Sequence, residues 1–266
     1  MTEPLALRQA MDDVLELHET GELDAALQRC DALIAATTEV DDDPVVRETA
    51  FAARFERALL LTEQGELTAA AEAYGAASLV PFDATDPDQR HEAAMALLNR
   101  GICLDAIDAH QAAVDTYDEL VVRFGSAADP VTRDQVIRAR VNRAAALLAL
   151  GRSHEASLDA AALVAELSVV DALDAEQAVM ARRIRAVALA ELEGPAAALT
   201  ALDDLDAIVD EDPAVRVQLI QARREQAAHL LADGQAERAR TLRDMLQQRY
   251  ADDPDPAVAA LLAELV

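Results

Sequence analysis

The chain contains no lysine and no tryptophan. All 23 of its basic residues are arginine, set against 50 acidic residues, and the formal net charge is −27. A phosphate backbone or an anionic membrane surface attracts Lys and Arg, so this balance argues against both as partners. It reads as a solvated, self-repelling surface. The all-arginine, Ala-, Asp- and Val-rich composition points to a GC-rich bacterial or salt-adapted source. Aromatic residues make up only 3% of the chain and β-branched residues are sparse, which disfavours a large sheet. Two cysteines, Cys30 and Cys103, make no disulfide framework; each falls in an apolar helical stretch, as a buried reduced thiol would. No window reaches the roughly 18 uninterrupted apolar residues that a membrane span needs. The N-terminal MTEPLALRQAMDD lacks a basic segment and a long apolar run, so a soluble, cytoplasmic protein is expected.

Alanine and leucine dominate what is there, and both favour helix. The expected class is all-α. A period then organises the 266 residues. Asp-Pro stands at Asp43-Pro44, Asp86-Pro87, Asp129-Pro130, Asp212-Pro213 and Asp255-Pro256; the first two gaps and the last are 43 residues. Asp caps the free N–H groups of a helix start, and Pro suits the first turn, where its missing N–H costs nothing. The remaining gap of 83 residues holds Asp171 and Asp174, where a fifth start falls.

A second marker is a tight turn at Gly21, Gly65, Asp108, Gly151, Glu193 and Gly234. Five residues after it stands alanine every time: Ala26, Ala70, Ala113, Ala156, Ala198 and Ala239. Four before it stands leucine: Leu17, Leu61, Leu104, Leu147, Leu189 and Leu230. Seven before it come Ala58, Gly101, Ala144, Ala186 and Ala227, with Val14 the exception. Small residues facing each other let two helices cross closely, and leucine fills the flanks.

The offsets predict helix pairs at about 5–20/22–37, 44–64/66–79, 87–107/109–124, 130–150/152–168, 172–192/195–209 and 213–233/235–250. A last helix, with Val258, Leu261, Leu262 and Leu265 at helical spacing, would cover the open end. One helix pair cannot bury its apolar face alone, whereas stacked pairs can. The expectation is therefore a single solenoid with repeats at about 1–42, 43–85, 86–128, 129–170, 171–211 and 212–254 and a cap at 255–266.

The stretch GELTAAAEAYGAA (Gly65 to Ala77) resembles the second half of a tetratricopeptide repeat, with turn Gly65, Leu67, Ala70, Tyr74 and Ala77. LLNRGICL (Leu97 to Leu104) resembles the first half. The resemblance covers nearly the whole chain, but the repeats exceed the common length of about 34 residues. They are similar to the extended repeats of kinesin light chains and bacterial peptide-sensing regulators. The fifth repeat matches least well, its Gly194-Pro195 being displaced. The resemblance implies a right-handed superhelix whose concave groove, lined by the first helix of each pair, binds peptides or protein segments.

Eight residues before the turn stand Arg57, Arg100, Arg143 and Arg185, with Asp13 and Gln226 in the outer repeats. Asn99 and Asn142 precede two of them; Glu56, Ile184 and Glu225 hold that place elsewhere. The resemblance implies that Asn at this place contacts a bound peptide backbone. An amide both donates and accepts, which suits a sequence-tolerant clamp. Arginines beside it, with Arg138 and Arg183 extending the stripe, could grip the carboxylates of an acidic segment or a C-terminus. The competing reading packs the arginine stems between helices, their charges met by neighbouring carbonyls or aspartates.

Catalytic signals are thin. His18, His91, His110, His154 and His229 are scattered, and no HExxH, GxGxxG, phosphate-binding loop or GxSxG occurs. Asp88-x-x-His91 is one copy of a motif that needs two for a dinuclear metal site. Asp41-Asp42-Asp43 and Asp252-Asp253-Pro254-Asp255 lack the spacing of a calcium loop and read as capping segments. The expectation is a binding scaffold or adaptor, with no cofactor, no metal and no enzymatic activity. A peptide-sensing module acting on a partner enzyme is the alternative. The apolar terminal helix leaves self-association open.

Overall fold

The structure, a computed structural model, describes residues 4–37, 43–168, 171–203 and 205–264, without the side chains of residues 172 and 173. Asp41, Asp42 and Leu265 therefore lie outside the described residues. Among the described residues there are thirteen α-helices and one 3-10 turn. They are α1 (Pro4–Glu19), α2 (Leu23–Ala36), α3 (Pro44–Glu63), α4 (Leu67–Ser78), α5 (Pro87–Ala106), α6 (His110–Phe124), α7 (Pro130–Ala149), α8 (Ser153–Glu166), α9 (Ala172–Glu193), α10 (Pro195–Ala201), α11 (Pro213–Ala232), α12 (Ala236–Arg249) and α13 (Pro256–Ala263). The fold is an all-α array of six helix pairs closed by a C-terminal helix, and it forms two compact units, Met1–Ala139 and Arg140–Val266.

The helix starts follow from aspartate. The side chains of Asp43, Asp86, Asp212 and Asp255 each accept a hydrogen bond from the backbone N–H two residues on, at 2.8, 2.9, 2.8 and 2.8 Å. Asp129 accepts from Thr132 N–H at 2.8 Å, and Asp171 accepts from Asp174 N–H at 3.3 Å, so the fifth start is where the period puts it. Asp253 pairs with Arg216 at 3.0 Å and accepts from Asp255 N–H, so the acidic run before α13 closes on its own chain.

The turns inside the pairs share one hydrogen-bonding pattern. In five repeats the conserved-offset leucine carbonyl accepts from the residue after the turn: Leu17 from Glu22, Leu61 from Glu66, Leu104 from Ala109, Leu147 from Arg152 and Leu230 from Gln235. The next carbonyl accepts from the turn residue itself. This is a Schellman closure, which needs a left-handed residue at the turn. Four glycines supply it with φ between 72 and 78°, and Asp108 adopts it at φ 59°. Aspartate tolerates this region at a cost that glycine does not pay. Asp108→Gly is expected to raise stability by about 0.5 kcal/mol, the local relief being partly offset by a freer unfolded chain. A thermal midpoint that stays level or falls would count against this.

The fifth repeat differs for a covalent reason. Its helix runs on to Glu193, and Gly194 (φ 96°, ψ 177°) makes the turn one residue later than the period places it. The residue that would donate the long closing bond is then Pro195, which has no N–H. The second helix of that pair is also shorter than the 195–209 read from the sequence. It stops at Ala201, and a 3-10 turn, Leu205–Ala207, follows. Asp203 and Asp206 would place negative charge at the negative end of a longer helix. Leu205 and Ile208 reach the core from the irregular segment instead.

Packing obeys the small-residue offsets. All six alanines five residues past the turn are 0% exposed. In the first unit, the core runs from Leu7, Val14 and Cys30 through Ala58 and Tyr74 to Leu97, Tyr117 and Phe124. In the second, α9, α10 and α11 share one cluster, and Val258 of α13 is buried with Ile220, Leu246 and Tyr250. Both cysteines are free and buried, and burial pushes the Cys30 thiol up to about 12. No helix among the described residues is long and apolar enough to cross a membrane.

Candidate functional site

The arginines eight residues before the turn sit where the first helix of a pair meets its neighbours. Arg57 Nε donates to Asp31 Oδ1 at 2.7 Å, crossing from α3 to α2. Arg100 lies against Gly75 of α4, where a Cβ would come within 3.3 Å of its Nε. The missing side chain makes room for the guanidinium. Arg143 pairs with Asp159 of α8, and the first repeat carries the same pair reversed, Arg29 of α2 donating to Asp13 of α1 at 2.6 Å. Arg185 is half-buried, its Nε enclosed without a hydrogen-bond partner. Arg138 pairs one turn back with Asp134 at 2.8 Å.

The position before these arginines is more varied. Asn99 is half-buried beside Tyr74, whose pKa is raised by burial. Asn142 is half-buried as well. In the second repeat Glu56 takes this place and is buried. The His18 ring lies between two carboxylates, Nδ1 against Glu56 and Nε2 against Glu63 at 2.9 Å. Hydrogen bonds to Glu63 and Glu56 favour the charged ring and raise the His18 pKa.

Arg183 is the stripe residue that opens onto a cleft. Its Nε and terminal nitrogen grip Glu225 at 3.0 and 2.6 Å, and the other terminal nitrogen donates to Gln218 and Gln221, each at 2.7 Å. These acceptors are all on α11. Beside them opens a cavity of about 530 Å³, walled by Arg183, Gln221, Arg224, Ala228, Leu231 and Arg243, with Glu225 and Glu264 also on its lining. Gln221, Arg224, Ala228 and Leu231 share one face of α11 because they are spaced three, four and three residues apart. Arg224 pairs with Glu264 at 2.7 Å, whereas the buried Nε of Arg243 meets no hydrogen-bond partner. The lining holds three guanidinium groups and two carboxylates, an excess of positive charge in a strongly acidic chain.

Two features escaped the sequence reading although their signals were present. Nine residues after the turn the repeats carry Cys30, Tyr74, Tyr117, Ala160 and Leu202, all buried, and then Arg243. A cation at a core position was the clue to the cleft. Six residues before the turn stand Leu15, Leu59, Ile102, Ala145, Val187 and Ala228, apolar in every repeat. Leu15, Ile102 and Val187 are 44%, 45% and 39% exposed. Apolar side chains repeated at a solvent-facing position mark a surface that could receive other apolar groups. Among the described residues no group of three or more His, Cys, Asp or Glu is placed to hold a metal ion.

No family model matches the sequence, and no curated protein does. Solved structures do resemble the fold. The apo form of the quorum sensor NprR from B. thuringiensis aligns with all of this chain and 70% of its own, at 15% identity and a TM-score of 0.63. NprR in complex with its cognate peptide NprX aligns with all of this chain and 72% of its own, at 15% identity and a TM-score of 0.53. A tetratricopeptide repeat protein from Parabacteroides merdae aligns with 99% of this chain and 86% of its own, at 17% identity and a TM-score of 0.52. At such identities the likeness is one of fold, and that fold is the tetratricopeptide-like helical repeat.

Proposed function

We propose that this tetratricopeptide-like chain is a cytoplasmic protein- or peptide-binding scaffold that takes a carboxylate-bearing segment on the first-helix face of its repeats. The cleft of Arg183, Arg224 and Arg243 carries the reading. Arg243 offers a buried, unsatisfied donor suited to a carboxylate, and beside it Arg224 pairs with the mostly exposed Glu264 through one terminal nitrogen. Within the second unit, which holds this cleft, Asn142 would contact the ligand backbone and the exposed Val187 would receive one of its side chains; Asn99 holds the same offset in the first unit. Arg57, Arg100, Arg138, Arg143 and Arg185 would steady the helices that present them, through the contacts described above. That NprR forms a complex with a peptide supports a peptide ligand here and keeps a peptide-sensing role as the second reading.

The test is selection from a displayed random decapeptide library with free C-termini. Enriched peptides should carry Asp, Glu or an essential terminal carboxylate. Their Kd should rise at least tenfold in folded Arg224→Ala and Arg243→Ala variants, about 1.4 kcal/mol of binding. Enrichment of peptides indifferent to both substitutions would place the ligand elsewhere.

A further inference from the structure

The first unit holds a second cleft, of opposite charge and unrelated to the stripe. It lies between the N-terminal turns of α3 and α5, and the α4–α5 loop closes it. Its volume is about 180 Å³. That is several times the roughly 30 Å³ share of one water and below the usual range for a free ligand of drug size, about 300 Å³ upward. It suits one large side chain. Pro44 and Phe51 form one wall, Val80 and Phe82 another, and Glu48 and Glu92 line it as well.

The cleft is already formed in the chain by itself. Phe51 stacks on Phe55 at 5.6 Å. Phe82 packs on Phe124 at 6.0 Å, with the Arg123 guanidinium over both rings. Asp83 accepts from the backbone N–H and the hydroxyl of Thr85, and its own N–H donates to Gln89 at 2.8 Å. Arg90 donates to the Ala84 carbonyl at 2.8 Å. A loop tied at this many points has little ordering entropy left to lose on binding. The chain has four phenylalanines, and two of them line this cavity.

The charges select the occupant. Arg47 is the sole cation among the lining residues. Among the described residues Glu48 has only a long contact with Arg8, 3.8 Å, both side chains being mostly exposed. Glu92 makes no ion pair with any described residue; burial raises its pKa, and its charged neighbours Asp88, Asp86 and Glu48 are all carboxylates that raise it further. With Glu48, Asp83 and Glu92 set against Arg47 alone, the lining of this apolar slot carries surplus negative charge.

We infer that this cleft docks a partner protein through an apolar side chain followed directly by a lysine or arginine, the apolar group entering between Phe51 and Phe82 and the cation meeting Glu92 and Glu48. The inference does not rest on the proposed function, whose site prefers the opposite charge. It is tested by NMR on the full chain with phenylalanine-selective ring labels, titrating the capped peptides acetyl-Gly-Leu-Arg-Gly-amide and acetyl-Gly-Leu-Glu-Gly-amide. The Leu-Arg peptide should move the Phe51 and Phe82 signals saturably and bind about fivefold more tightly than the Leu-Glu peptide. Glu92→Gln, which keeps the shape of the side chain and removes its charge, should remove most of that preference while leaving the free spectrum unchanged. Arg243→Ala should leave the titration as it was. Absence of a saturable shift, equal affinity for the two peptides, or a preference that survives Glu92→Gln would each overturn the inference.

Discussion

Gly101→Ala is expected to destabilise the protein by about 2 kcal/mol, although it replaces a glycine in the interior of a helix. Helix propensity alone favours alanine by about 1 kcal/mol. The added Cβ would meet the Tyr117 ring at 2.2, 2.6 and 2.8 Å, against about 3.5–4.0 Å for ordinary carbon contacts. Tyr117 is 0% exposed, and its hydroxyl donates to Asp105 at 3.2 Å, so the ring has no open space to swing into. Overpacking of this kind costs typically 1–3 kcal/mol and occasionally more, which outweighs the propensity gain. Ala58, Ala144 and Ala186 hold the same repeat position, each 0% exposed. Urea unfolding is the measurement. Gly101→Ala combined with Tyr117→Leu should recover part of the loss, as coupled neighbours do. A midpoint at or above that of the wild type in the single variant would show that the helices separate freely here.

The second large effect is at Asp129. Its carboxylate caps α7 through Thr132 N–H and pairs with Arg90 of α5 at 2.9 Å, both side chains being more than three-quarters buried. Loss of a cap costs about 0.5–2 kcal/mol. Asp129→Ala would also strand Arg90, whose Nε is already buried without a partner, so a total of about 2–3 kcal/mol is expected at neutral pH. The effect should depend on pH in one direction. Hydrogen bonding from Thr132, with Arg90 beside it, lowers the folded pKa of Asp129 from 3.8 to about 2. A depressed carboxylate contributes stability that is fully present above its unfolded pKa and fades as pH falls from about 4 to 2. Wild type and Asp129→Ala should therefore differ most near pH 7 and converge near pH 2. Asp212→Ala, which removes a cap from Ala214 N–H at an exposed site, is the control and should cost less. A gap between wild type and Asp129→Ala that is unchanged at pH 2 would mean that the carboxylate charge is not what holds the helix start.

Much of the fold was legible because it is written in short-range chemistry repeated six times. Asp-Pro names a helix start by capping and by a fixed φ, within three residues. Leucine and glycine four residues apart name a Schellman turn, and small residues twelve apart name a close crossing. Each signal is local, and the period turns a weak local signal into a firm one. The departures were legible in kind and not in extent. Gly194-Pro195 announced an irregular turn, but where α10 stops depends on whether Leu205 and Ile208 can reach the core from an irregular backbone.

The candidate site was less legible, for a physical reason. The offsets place Arg57, Arg100, Arg143, Arg183 and Arg185 on first helices, but not which charge each one meets. Arg57 finds Asp31 26 residues away, Arg143 finds Asp159 16 residues away, and Arg183 finds Glu225 42 residues away. Long, flexible side chains choose partners by distance across packed helices, and the periodicity of a single helix carries no record of that choice. Composition and period determined the all-helical repeat and five of its six turns, the one in the fifth repeat falling one residue late at Gly194. Only the packing of one helix on the next decided which guanidinium groups are neutralised within the array, and that Arg243, at a core offset, lines a cleft with a donor unsatisfied.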